Sequence, residues 1–285
     1  MVFYKFFVKI RAPLLFLFAC VSLLSQGSKS WDPQFSESPN LSSFLDKISE
    51  YCGKLEKAAF DYVCLEEVTE KVVKTRHSKS IPRFVRGKFR RVEKKTFVYD
   101  YQLIYKDGET EEKRILLQED GKPVIKKTSD LKTHQFSYKR IVFAPMVLSQ
   151  YWRDRYDFTV SHKEIWGQET ILVVEASPKF FSEDPRFAGT LWIRESDAGI
   201  VKVRWNQEAL ENYSHLVERA RGAGLEPIIT VTAEYKVEKN GIRFPSRLFI
   251  EEAYLKEDGT KVIHSETSVS YTRHKFFSVE TDVRY

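Results

Sequence analysis

The chain has 285 residues, of which 42% are hydrophobic and 14% aromatic, and a formal net charge of +6. That aromatic content excludes a disordered chain, and the length is enough for one large β domain or two small ones. Lys5, Lys9 and Arg11 stand in the first 27 residues with no acid, so the remainder carries only +3, which argues against nucleic acid as the partner of the charge.

The three N-terminal cations precede an apolar stretch, Ala12 to Leu24, and then the small and polar run Ser25-Gln26-Gly27-Ser28. This order predicts a secretory signal peptide over residues 1–27, since the apolar core falls short of the about 20 residues of a membrane-spanning helix. An exported, periplasmic protein is the expectation. Leu17-Phe18-Ala19-Cys20 also has the outline of a lipobox, the alternative being a chain lipid-anchored through Cys20. Residues 28–40, rich in Ser, Pro, Gln and Asn, read as a flexible leader. Past the signal only Cys52 and Cys64 remain, which in an oxidising compartment predicts a disulfide, with two buried free thiols as the alternative. Their separation lacks the short step between zinc ligands, so no metal is expected.

From Leu41 the apolar residues Phe44, Leu45, Ile48, Tyr51, Cys52 and Leu55 recur at steps of three and four, predicting a helix from about Ser38 or Asn40 to about Ala58 or Ala59. A strand follows from Phe60 to about Val73. Lys74 to Lys95 is the most strongly charged segment, holding many Lys and Arg against the single acid Glu93, interleaved with Ile81, Phe84, Val85, Phe89 and Val92. Period-two stretches over 96–106 and 111–118 are bounded by Asp107-Gly108 and Asp120-Gly121, which are hairpin signals. Residues 145–155 look helical. Strands are predicted over 156–166, 169–177, 189–195 and 199–206, then a helix or loop over 208–224, then strands over 227–238, 242–255, 261–272 and 276–283. So many consecutive strands with so few helices predict one antiparallel sheet, curved or partly closed, whose apolar face is covered by helices or a bound apolar ligand.

No nucleophile elbow, zincin helix or P-loop occurs, and Gly222-Ala223-Gly224 leads to Pro227 and a strand, not a dinucleotide-binding helix. His77, His134, His162, His215, His264 and His274 lie far apart without ligand spacing and read as surface or loop residues. Glu251, Glu252 and Glu266 read as solvated strand charges. Neither a cofactor nor enzyme activity is expected. Phe97, Tyr99 and Tyr101 alternate onto one face, as do Leu191 and Ile193, with Trp192 opposite. Ordinary sheet core is one reading of these five, and the lining of an apolar ligand cavity is the other. The basic segment, with Arg83, Arg86, Lys88, Arg90 and Arg91, reads as a solvated edge that discourages strand association, or as a contact for anionic lipid headgroups or an acidic partner.

Three neighbouring segments carry a family resemblance: Ile171-Leu172-Val173-Val174-Glu175-Ala176-Ser177-Pro178-Lys179, Phe187-Ala188-Gly189-Thr190-Leu191-Trp192-Ile193, and Gly199-Ile200-Val201-Lys202-Val203. In this order they resemble the periplasmic lipoprotein-carrier superfamily with the LolA-like fold. The resemblance implies a mainly β domain over 41–285, in which a curved antiparallel sheet forms an unclosed half-barrel covered by helices, its concave face receiving acyl chains. It further implies lipid or lipidated protein as partner, in a carrier or chaperone role. Envelope sensors that bind a protein partner share the fold, and an exported hydrolase is the third possibility.

Overall fold

In the computed structural model, residues 41–75, 90–107, 109–124, 130–133, 138–179, 187–210, 213–221 and 224–277 are described. The chain divides into Met1–Ser38 and Pro39–Tyr285. The signal peptide, the leader and Cys20 lie outside the described residues, as do Arg83, Arg86 and Lys88.

The amphipathic stretch forms helix α1, Leu41–Ala58, with Phe44, Leu45, Ile48, Tyr51, Cys52 and Leu55 buried. Strands follow in the order β1 (Tyr62–Thr75), β2 (Arg90–Lys106), β3 (Glu109–Glu119), β4 (Lys122–Pro123), β5 (Tyr156–Trp166), β6 (Glu169–Pro178), β7 (Gly189–Arg194), β8 (Ile200–Trp205) and β9 (Glu226–Glu234). The last four are β10 (Val237–Lys239), β11 (Ile242–Phe244), β12 (Arg247–Leu255) and β13 (Lys261–Phe276). Among the described residues two further α-helices are short, α2 (Gln150–Arg153) and α3 (Tyr213–Arg221), and a 3-10 helix runs over Ile141–Leu148. Asp120-Gly121 and Asn240-Gly241 both place two successive residues at positive φ, the backbone of a tight hairpin turn.

Eleven strands make one antiparallel sheet in the order β4-β3-β2-β1-β13-β12-β9-β8-β7-β6-β5, which does not close, and β10 and β11 pair separately. The mainly β, open-sheet architecture expected from the sequence is therefore present. The first and last strands meet in the middle, Val68 opposite Val269. The chain leaves one edge at β4 and re-enters at the other edge as β5, so the link between them must cross the sheet. Its 3-10 helix does so against the core: Tyr235 donates to the Ile141 carbonyl at 2.6 Å and Cys52 Sγ to the Pro145 carbonyl at 3.4 Å.

Register differs from the sequence reading at three places. β2 begins at Arg90, so part of the basic segment is strand. The expected strands over 227–238 and 242–255 are each broken in two, at Tyr235-Lys236 and Pro245-Ser246, where the chain turns aside to make the β10-β11 ribbon. The last strand runs on to Phe276, and residues beyond Phe277 fall outside the described part. Gly189 explains a constraint that periodicity does not contain: a Cβ there would stand 2.0 Å from the Arg204 carbonyl oxygen, because β7 and β8 come together at that rung.

The expected Cys52–Cys64 disulfide is absent, and both are free, buried thiols. Cys52 is turned to the 3-10 helix, with its thiol committed to Pro145, while Cys64 lies on β1 opposite Tyr101 of β2. Burial pushes the Cys52 thiol up to about 12 and raises Cys64 as well, which keeps both protonated and unreactive.

Candidate functional site

The face of the sheet that carries the core is the inner one, and alternation assigns each side chain to it. On β1 the buried residues are Tyr62, Cys64, Glu66, Val68, Glu70 and Val72, every second position. Register carries that face to Phe97, Tyr99 and Tyr101 of β2, and onward to Leu116 and Arg114 of β3. On the other side it runs through Leu248 and Ile250 of β12, Val231 and Ala233 of β9, and Val203 of β8 to Leu191 and Ile193 of β7. All five aromatic and aliphatic positions singled out from the sequence are thus inward and buried within one core. They are not neighbours: β2 and β7 lie on opposite sides of the β1–β13 junction. Trp192 points to the outer face as expected, covered by Lys202, whose Nζ is 4.4 Å from the ring centroid, and donating to Glu164 at 3.1 Å.

The inner face consists of two chemically different halves. From β6 to β9 it is mainly aliphatic, with Leu172, Val174, Leu191, Ile193, Val203 and Ile229 buried. From β1 to β3 it is built from tyrosines around an ion cluster. Arg114 grips Glu66 through both ends of its fork, Nε to Oε2 at 2.6 Å and Nη2 to Oε1 at 3.1 Å, and donates from Nη1 to Glu112 at 3.2 Å. Glu112 Oε1 accepts from the Tyr101 hydroxyl at 2.9 Å and from the Arg140 amide at 2.6 Å. The guanidinium also lies over the rings of Tyr101 and Tyr138, at 5.0 and 5.6 Å. Glu66 is 0% and Arg114 7% exposed, so neither charge is hydrated to any useful extent.

Burial pushes the Glu66 carboxyl up from its usual range, against the pull of Arg114. For Arg114 burial disfavours the charge, and the hydrogen bond and charge of Glu66 outweigh it, so the guanidinium is held cationic. The hydroxyls of Tyr62, Tyr101, Tyr138 and Tyr271 are driven well above the ordinary range by burial and stay neutral. Both carboxylates are engaged by Arg114, and Glu112 additionally by a hydroxyl and a backbone amide. Such an arrangement fixes β1, β3 and the link at Tyr138–Arg140 to one another; it offers no free base or nucleophile to a substrate.

Farther along, Glu70, Glu252, Ser265 and Thr267 are also buried, which overturns the reading of Glu252 as a solvated charge. Ser265 donates to Glu252 at 3.3 Å and the Tyr254 hydroxyl donates to its other oxygen. Glu252 has the parity of the buried Leu248 and Ile250 on β12, so alternation itself turns it inward, while the burial of Glu251 departs from that period close to the β-bulge between Glu252 and Ala253. The signal for the ion cluster was present in β1, where Glu66 and Glu70 share the parity of Val68 and Val72. Its cationic partner was not, since Arg114 and Glu66 are brought together only by strand pairing. His162 is exposed on a strand, in keeping with a surface position, whereas His264 and His274 are partly buried in β13, and no group of three or more potential metal ligands occurs among the described residues. Nor, among them, is any helix long and apolar enough to cross a membrane.

No family model matches the chain, and no curated protein matches it. Solved structures do. A DUF1329 family protein from Desulfovibrio piger is 10% identical, with 84% of this chain and 95% of that chain covered and a TM-score of 0.39. A LolA superfamily protein from Nitrosomonas europaea is 13% identical, with coverage of 85% and 96% and a TM-score of 0.37. A domain assigned as an outer membrane lipoprotein-sorting protein, from Vibrio parahaemolyticus, is 13% identical, with coverage of 85% and 96% and a TM-score of 0.40.

Proposed function

We propose that this protein is exported and serves in a bacterial envelope as a non-catalytic binding or carrier module for a lipid or the acyl chains of a lipidated protein. The observation that carries the reading is the unfinished cover of the aliphatic half at the β5 edge. Along the inner face of β5 burial decreases from Tyr156 through Phe158 to Val160, which is 36% exposed. An apolar strip at the mouth of an aliphatic interior suits an acyl chain, since each Å² of apolar surface removed from water contributes roughly 25 cal/mol. No chemistry is needed for useful affinity.

The test is native mass spectrometry of residues 28–285 purified from an envelope fraction, followed by solvent extraction and lipid analysis. A stoichiometric lipid, lost in Val160→Asp while the fold persists by circular dichroism, is the expected result. Protein that is free of lipid and ignores added lipids overturns the reading.

One observation favours a second role, as an envelope sensor that binds a protein. β5 is an eleven-residue edge strand that, among the described residues, pairs only with β6, so the backbone groups on its other side suit an added strand. A partner that remains bound after complete delipidation, and is released by a proline at an outward-bonding position of β5, would favour that role.

A further inference from the structure

We infer that the outer face of the sheet near the β5–β6 turn is a binding site for an acidic oligosaccharide, with a sugar ring stacked on Trp166 and an acid group at Lys202 and Arg204. The site is on the face opposite to the acyl-chain reading and does not rest on it. Alternation turns His162, Glu164 and Trp166 of β5 outward in one row, and register sets that row beside Ile171 and Val173 of β6 and then Trp192 of β7. Ile171, Val173, Trp192 and Val201 pack there into a small apolar cluster of their own, separate from the inner core.

Glu164 holds together the polar layer above that apolar floor. Its Oε2 accepts from Trp166 Nε1 at 2.7 Å, its Oε1 accepts from Trp192 Nε1 at 3.1 Å, and His162 Nε2 lies 3.1 Å from the same Oε1. These bonds, that of Trp192 foremost, hold the carboxyl below its usual range. One carboxylate thus fixes both indoles, and their rings meet different surroundings. Trp192 is covered, with Lys202 Nζ at 4.4 Å and the Arg204 guanidinium at 5.5 Å from its centroid, whereas Trp166 is 40% exposed. Neither cation has an acidic partner among the described residues; Arg204 donates to the Thr190 hydroxyl, which itself donates to Glu175. An exposed indole whose N–H is already engaged offers a ligand only its ring face, which suits C–H groups. The two cations on the neighbouring indole offer charge. A hydrocarbon chain would use the ring alone and an acidic peptide the cations alone. A sugar acid carries an apolar C–H face and a carboxylate on one rigid ring, and this match is the reason for choosing it.

The test is isothermal titration of the protein with two acidic saccharides, tetragalacturonate and a hyaluronate tetrasaccharide, beside methyl-esterified tetragalacturonate, tetraglutamate and adenosine monophosphate. Binding of an acidic saccharide, more tightly than any of the other three, is the expected result. Trp166→Ala weakens it about tenfold through the lost ring face. Lys202→Gln weakens it about fivefold and leaves any residual binding of the neutral ester unchanged. Tyr151→Ala, which removes a ring 65% exposed on α2, has no effect. Unchanged thermal unfolding establishes that the variants are folded; should Trp166→Ala unfold, the response of Lys202→Gln decides. Failure of both acidic saccharides to bind, equal binding of the ester or of tetraglutamate, tighter binding of the nucleotide, or binding indifferent to Lys202→Gln or to a folded Trp166→Ala overturns the inference.

Discussion

The two halves of the inner face are made by the same rule of alternation and filled by opposite chemistry. Between β6 and β9 the inward positions are mainly aliphatic and interchangeable in kind, as in Leu172, Val174, Leu191 and Val203. Between β1 and β3 they are specific: Arg114 has its fork matched to Glu66, its third nitrogen to Glu112, and its guanidinium over the rings of Tyr101 and Tyr138. Aliphatic burial is non-directional and tolerates a guest or a rearrangement. A buried ion cluster tolerates neither, because any displaced charge is left without water or partner. The difference suggests a division of labour in which one half fixes the link from β4 to β5 and the other is left adaptable.

The largest expected effect tests the rigid half. Arg114→Ala leaves Glu66 and Glu112 buried without their cation and should destabilise the fold by about 3–5 kcal/mol, read as a lowered urea midpoint at constant slope. A loss below about 1 kcal/mol would mean that the cluster is no more specific than the aliphatic half. Leu191→Ala, at the centre of that other half, should cost about 3 kcal/mol by transfer and cavity terms. A much smaller cost together with tighter binding of an apolar probe would instead place Leu191 in the ligand groove.

The smallest effect concerns pH. Burial raises the folded-state pKa of Glu66 above its unfolded value, so its contribution to stability is fully present below the unfolded value near about 4.3 and is lost as pH rises through the folded one. Glu66→Gln imitates the protonated carboxyl at all pH values. The difference in melting temperature between the variant and the parent should therefore shift in favour of the variant as pH is raised from 4 towards 8, and a shift in the opposite sense would show that Arg114 overcomes the burial of Glu66.

Much of the architecture was legible because short-range signals agreed with one another. Helix α1 lies within a residue or so of its expected limits, and the hairpins at Asp120-Gly121 and Asn240-Gly241 form where the left-handed turn residues stand. Errors arose where a long-range event interrupts a local period. Burial of Glu251 breaks the period of β12 next to a bulge, a two-stranded side ribbon divided two expected strands, and a thiol that finds a carbonyl partner on the link replaced an expected disulfide.

By itself the sequence determined which residues would be inward on each strand, since alternation is a property of the extended backbone, and hence that Phe97, Tyr99 and Tyr101 share one face and Leu191 and Ile193 another run of it. Only the tertiary structure decided that these runs are far apart and that Glu66, Arg114 and Glu112 meet. Those outcomes depend on which strands become neighbours and in what register, and pairing joins residues such as Glu66 and Arg114 across 48 positions of chain, beyond the reach of any local pattern.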